Sequence, residues 1–279
     1  MRIESQSADV VGKQTQRVEP AKAVQNVFAE VLAQVGRDGY ASAQPVENGA
    51  PLTDRITETW NHWSQTTGRA RFDDRPDAQQ LQQDFGQLLL EAHNSGGYAA
   101  PQAFLKSLSK DQLATLQHTH RLVSPIRVDE LTEEGSLNLL LPPPTQVDLN
   151  NDGLTQSGIG YTIRFPDSRT PGSVVEAWEK ATADLPPGEL AVRQLQMKAD
   201  VLLANIHTDA SGRFSHRVEP GDPDFVNPMA SPGYSYVQKT QQRIDAVEYF
   251  KHQTPPEQYE RDRGFWTELK AQLLPHDAP

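Results

Sequence analysis

Apolar residues recur along this chain at helical spacing far more often than at strand spacing. Beginning at Pro20, the residues Val24, Val27, Phe28, Val31, Leu32 and Val35 form one stripe on a 3.6-residue period, which predicts a helix stopped by Gly36. A second helix carries Ile56, Trp60 and Trp63 on one face. A third starts near Pro76, carries Leu81, Phe85, Leu88, Leu89 and Ala92, and ends at Gly96-Gly97. Ser109 and Gln112 have the spacing of a capping box, so a fourth helix is expected with Leu113 and Leu116 inward. Leu131, Leu137, Leu140 and Leu141 predict a short helix that Pro142-Pro143-Pro144 must end.

Further along, Thr170-Pro171 reads as an N-cap with proline at the first helical position, ahead of Val174, Val175 and Trp178. A long helix is expected over 188–206 with Ala191, Leu195, Ala199, Leu202 and Ile206 on its buried side. Tyr236, Val237, Ile244, Val247 and Phe250 mark another. Thr254-Pro255-Pro256-Glu257 has capping-box spacing before a last helix with Tyr259, Trp266, Leu269 and Leu273 inward. Only two segments alternate with a period of two: Ile159, Tyr161, Ile163 and Phe165, and more weakly Phe214, His216 and Val218. They predict two strands that could pair as one ribbon. The expected fold is therefore mainly α, a multi-helix globular protein with a small β ribbon in its C-terminal half.

Residues 1–19 are polar and aperiodic and predict a disordered tail. The triple proline is the candidate boundary between a helical region, 20–144, and a region 145–279 of turn, strands and helices, unless all the helices share one core. No internal repeat is visible. The formal charge of −11, from 26 basic against 37 acidic residues, argues against a nucleic-acid partner and mildly favours cations. The absence of cysteine excludes disulfides, thiolate metal sites and a cysteine nucleophile. No basic start followed by an apolar run suggests a secretory signal, and no apolar run approaches the ~20 residues that cross a bilayer. No membrane span is expected. Cytoplasmic is the default compartment, with signal-less export and a processed precursor left open. Nothing indicates an oligomeric state.

The one clear chemical signature is Asp148-Leu149-Asn150-Asn151-Asp152-Gly153. Oxygen-bearing side chains stand at alternate residues before a glycine, the arrangement that wraps a tight loop around a hard cation. Such a loop points every second side chain inward, and Gly153 permits the positive φ of a sharp turn. Asp148, Asn150 and Asp152 would supply side-chain oxygens, Leu154 its backbone carbonyl, and Gln156 a ligand directly or through water. This segment resembles the calcium loop of EF-hand and dockerin-type proteins, and the resemblance implies bound Ca2+. It departs from the EF-hand pattern where a bidentate Glu is usual, since Ile159 stands there, and where an incoming helix is usual, since Pro142-Pro143-Pro144 stands there. A distant carboxylate is then needed to complete the shell: Asp129, Glu130, Glu133, Glu134 or Asp167. With two local carboxylates the expected affinity is weak, on the order of 10⁻⁴ M.

The remaining constellations read more plainly. His207-Thr208-Asp209-Ala210-Ser211-Gly212 has a fainter oxygen alternation and reads as a turn ending a helix. His118 and His120, two apart, fall on different helix faces and read as surface or half-buried histidines. Trp60 and Trp63 read as core, with His62 at its edge. Glu133-Glu134 reads as a solvated helix face and Leu137–Leu141 as core. There is no Gly-x-Ser-x-Gly elbow and no phosphate-cradling glycine loop. The leading expectation is a structural or interaction module with one calcium loop. The alternatives are an enzyme whose site is assembled from distant residues, such as a hydrolase using His118 or His120 with a carboxylate, and a metal-free helical module that binds a partner protein through an apolar face.

Overall fold

The computed structural model describes the backbone of residues 4–46 and 49–276, and side chains from residue 19 to residue 275 of these. The described chain is mainly α, with ten α-helices and two antiparallel two-stranded sheets. It divides into two compact units, Met1–Arg169 and Thr170–Pro279, so the triple proline lies inside the first unit. Residues 145–169 belong with the helices that precede them. The expected tail over 1–19 falls on residues 1–3, outside the described residues, and on the first part of helix α1, whose side chains there are not described. That helix spans Glu4–Gln34, so Pro20 lies within it and does not open it.

In the first unit, α1 packs on α2 (Leu52–Gln65), and α2 packs on α3 (Ala78–Asn94). The helical stripes meet as the spacing predicts. Val24, Val27, Phe28, Val31 and Leu32 face a core built from Ile56, Trp60, Trp63, Phe85, Leu88 and Leu89. Trp60 is its centre: it is fully buried, its indole N–H donates to the Gln82 carbonyl at 2.9 Å, and its ring packs at a tilt against Trp63 and Phe85. A helix the apolar pattern did not reveal, α4 (Pro101–Ser107), follows. Helix α5 (Lys110–Thr119) begins with the capping box of Ser109 and Gln112, both bonds formed.

Helix α6 (Glu133–Leu140) is buried nearly all round, since Glu134 to Leu140 are inaccessible. Its N-cap is Thr132, whose hydroxyl accepts the Gly135 N–H. Against it packs a hairpin of β1 (Thr155–Ser157) and β2 (Gly160–Thr162). Gly158, at φ +62°, supplies the left-handed residue a two-residue hairpin connection needs. Its N–H donates to the Gly135 carbonyl at 3.0 Å.

The second unit holds α7 (Gly172–Ala181), α8 (Pro187–Ala204), β3 (Ile206–Thr208), β4 (Phe214–Arg217), α9 (Tyr236–Tyr249) and α10 (Pro256–Leu273). Helices α7 and α9 both pack on α10, with Trp178 edge-on to Phe265. Three expectations are corrected here. The two alternating segments do not pair with each other: each closes a local hairpin, β1–β2 and β3–β4, because a short turn costs less chain entropy than a long-range ribbon. The buried face of α8 is set by Arg193, Met197 and Val201, while Leu195 and Ile206 are exposed. Arg193 can be buried because Asp262 pairs with it at 2.6 Å and the Phe265 ring lies 4.6 Å beneath its guanidinium. Finally, α7 and α10 are capped by Pro171 and Pro255 without a side-chain bond, and the Thr254 hydroxyl donates instead to the Phe250 carbonyl.

A Cβ on Gly135 would run into the Gly158 carbonyl oxygen, which is backbone and cannot swing aside. Gly135→Ala is therefore expected to destabilise the first unit by about 1–3 kcal/mol, measured by urea unfolding, through displacement of the β1–β2 hairpin from α6.

Candidate functional site

The segment from Val147 to Leu154 is an irregular loop that runs into β1, and α6 holds it. Two polar side chains one helical turn apart do most of this. Asn138 accepts the Val147 N–H at 2.8 Å and donates to the carbonyls of Val147 and Gln156, both at 2.7 Å. Glu134 accepts Leu149 N–H at 2.9 Å and Asn150 N–H at 3.3 Å on one oxygen, and Gln156 N–H at 2.6 Å on the other. The entry and exit of the loop are thus stitched to one helix face. From about twenty residues further along the chain, the Ser168 hydroxyl accepts Asp148 N–H, and the Arg169 guanidinium donates to the carbonyls of Asp148 and Leu149 at 2.9 and 3.1 Å.

Inside this frame the loop turns on two left-handed residues, Asn151 at φ +58° and Gly153 at φ +85°. That backbone directs consecutive N–H groups at the alternating side chains. Asp148 accepts from Asp152 N and Gly153 N at 3.1 and 2.8 Å. The Asn150 amide oxygen accepts from Asp152 N at 3.1 Å, and its nitrogen donates to the Asp152 carboxylate at 3.0 Å. Asp152 in turn accepts from Leu154 N at 2.8 Å. The three oxygen-bearing side chains therefore each accept N–H groups of one short bend. Leu154 is buried beside it. Gln156 is drawn elsewhere: its side-chain carbonyl accepts the Thr132 hydroxyl at the start of α6.

Of the distant carboxylates, Glu134 bonds to the loop through backbone N–H groups. Asp129 pairs with Lys106 and Glu130 with Arg127. Glu133 is exposed and pairs with Arg37. Asp167 accepts the N–H of Arg169. Glu134 is not part of a solvated face; it is 5% exposed, because the neighbouring backbone donors replace its water. Burial pushes its carboxyl up to about 7; the charge of Asp148 acts in the same sense, and the three backbone N–H bonds pull against it. Among the described residues, no group of three or more His, Cys, Asp or Glu side chains stands together so as to hold a metal ion. The donors the loop itself offers are two carboxylates, one amide oxygen and backbone carbonyls, a hard-oxygen set of the kind calcium takes.

The polar network extends from Asn138 to His120. The Gln146 amide nitrogen lies 3.1 Å from the Asn138 carbonyl, 2.9 Å from the Ser157 hydroxyl and 3.1 Å from His120 Nδ1. His120 Nε2 lies 2.9 Å from the Leu139 carbonyl, an acceptor only, so Nε2 carries the proton and Nδ1 accepts from Gln146. Burial holds this imidazole down to about 3. His120 is a neutral, fully engaged core group, whereas His118 is exposed. The second oxygen-rich segment is the β3–β4 turn: Asp209 accepts from the N–H groups of Ser211 and Arg213, and Gly212 takes φ +78°.

Compared with known proteins, the chain matches no family model, no curated protein and no solved structure. Among the described residues, no helix is long and apolar enough to cross a membrane.

At pH 8, Glu134→Gln cannot keep three N–H donors satisfied with one carbonyl oxygen. It is expected to cost about 1–3 kcal/mol in a denaturant melt. His120 gives the pH sign. Its folded pKa lies below the unfolded 6.5, so the unfolded chain binds more protons and stability falls as pH drops through 6.5 towards about 3. The loss is about 1.4 kcal/mol per pH unit inside that window. The difference between native and His120→Gln stabilities, followed from pH 7 to pH 5, is expected to shrink accordingly.

Proposed function

We propose that the first unit is a structural or interaction module whose Asp148–Gly153 loop takes calcium weakly. The ion would fasten the loop and, through it, the β1–β2 hairpin that follows directly. The observation that carries this reading is the convergence of the Asp148, Asn150 and Asp152 side chains on a bend held by two left-handed residues. Each carboxylate oxygen that accepts one N–H retains a second lone pair for an ion. In this reading Leu154 adds its carbonyl, and Gln156 ties the loop to α6 in place of ligating. Glu134 fixes the loop backbone from behind.

One observation favours a partner-protein role for the same unit. A cavity of about 180 Å³ lies between the 122–131 segment and the hairpin turn, lined by Leu122, Val123, Pro125, Ile126, Leu131 and Ile159. Val123 is 99% and Ile159 62% exposed, an unusual cost for a surface unless something apolar covers it. The hairpin turn that forms one wall is the segment a cation at Asp148–Gly153 would steady.

Millimolar calcium is expected to raise the melting temperature above that in chelator, by mass action on the folded state, and magnesium to do so less. Asp152→Asn, which keeps the bond to Leu154 N–H but removes the charge, is expected to abolish most of the shift. Identical melts of the native protein in calcium and in chelator would remove the calcium reading and leave the module without an ion.

A further inference from the structure

The second unit carries two imidazoles side by side at its surface. His207 on β3 and His216 on β4 are cross-strand partners, and their rings lie face to face, with centroids 4.6 Å apart and planes 10° from parallel. Both are exposed. The pairing is held from both ends of the hairpin. At the base, Val218 N–H donates to the Asn205 carbonyl at 2.9 Å. The buried Asn205 side chain accepts Val226 N–H at 2.8 Å and donates to the carbonyls of Val201 and Val226 at 2.8 and 2.9 Å. At the tip, Asp209 N–H donates to the Arg213 carbonyl at 2.8 Å, and the Asp209 carboxylate accepts from the N–H groups of Ser211 and Arg213. Strand side chains alternate between two faces, so this register sets His207 and His216 together on one of them.

The ring nitrogens are available. Among the described residues, the Ser215 hydroxyl lies 3.2 Å from His216 Nδ1, and no other group hydrogen-bonds to either imidazole. Ser215 is the extra residue of an irregularity in β4: Thr208 pairs with Phe214, whereas His207 pairs with His216. A hydroxyl at Nδ1 orients the His216 ring and leaves its Nε2 free to ligate. Neutral imidazole suits zinc, nickel and copper, whereas calcium takes oxygen. Metal–nitrogen bonds of about 2.0–2.1 Å place two neighbouring nitrogens about 3 Å apart. Two exposed rings with centroids 4.6 Å apart reach that by rotation about their own side-chain bonds, with the backbone left in place. The acids of the hairpin and its exit are already engaged, Asp209 with the turn and Glu219 with Arg217. Two imidazoles are therefore the protein's ligands, and water takes the remaining positions.

We infer that His207 and His216 form a two-histidine chelate for a divalent transition metal, with copper(II) held more tightly than nickel(II) or zinc. The site does not rest on the calcium reading of the Asp148 loop, and it is titrated with calcium in excess so that the loop plays no part. The probes are the chlorides of copper, nickel and zinc, added to the metal-free full chain near neutral pH. Calorimetry gives the affinity, and paramagnetic broadening of imidazole proton resonances by copper gives the place. The His207 and His216 ring signals are expected to broaden first. His207→Gln and His216→Gln are each expected to weaken copper binding about a hundredfold, the lower end of what joining two binding groups contributes. The double variant His216→Arg, Arg217→His keeps the histidine count and the charge but turns the imidazole to the other face of β4, and the same loss is expected. His118→Gln and His252→Gln, at exposed histidines elsewhere, are expected to change nothing. Copper binding by either single variant or by the exchanged variant as tight as that of the native protein overturns the assignment. So does broadening that begins at another histidine.

Discussion

The arrangement of the first unit depends on a buried carboxylate and a buried amide one turn apart on α6. Glu134 and Asn138 present their oxygens and nitrogen to a stretch of backbone that forms neither helix nor strand, and to the first residues of β1 that follow it. Buried backbone groups must find partners, and an irregular loop cannot supply them all from within. The helix supplies the missing ones. Placing Glu134 out of water is itself unfavourable, which is why its carboxyl titrates high, and three N–H donors offset much of that cost. The loop conformation, the left-handed Asn151 and Gly153, and the convergence of Asp148, Asn150 and Asp152 all follow from the positions at which the backbone is held.

The same network links regions of the unit that are far apart in sequence. Asn138 leads to Gln146, Gln146 to Ser157 and His120, and Gln146 again to Arg164. Nearly every member is inaccessible, so each unmade bond would be expensive. Such a network rewards one arrangement of α5, α6, the hairpin and the segment after it, and penalises the rest. It also separates two electrostatic environments. Oxygens gather at the Asp148 bend, and guanidiniums gather around Thr119 to Arg121.

The second unit uses a comparable device more sparingly. Arg193 lies within the buried face of α8, paired with Asp262 and stacked on Phe265, and so stands where an aliphatic residue would be expected. Breaking such a pair from one side leaves an isolated buried charge, which is worse than having neither partner.

Local signals were legible without coordinates. The stripes of α1, α2 and α3 appear as written, because a 3.6-residue period leaves an apolar side nowhere else to go. The Ser109–Gln112 capping box was equally plain, since it is satisfied within a few residues. What tertiary structure decided were the polar residues that need a distant partner. Glu134 read as solvent-facing until the backbone of a loop was brought against it. Asn138 was hidden in a run of leucines, although a lone amide in such a run is itself a signal. Arg193 displaced Leu195 from the interior of α8 only because Asp262 and Phe265 were waiting. Periodicity reports what water expels, and that is encoded residue by residue. The price of burying a charge depends on what stands opposite, and only the folded chain sets that.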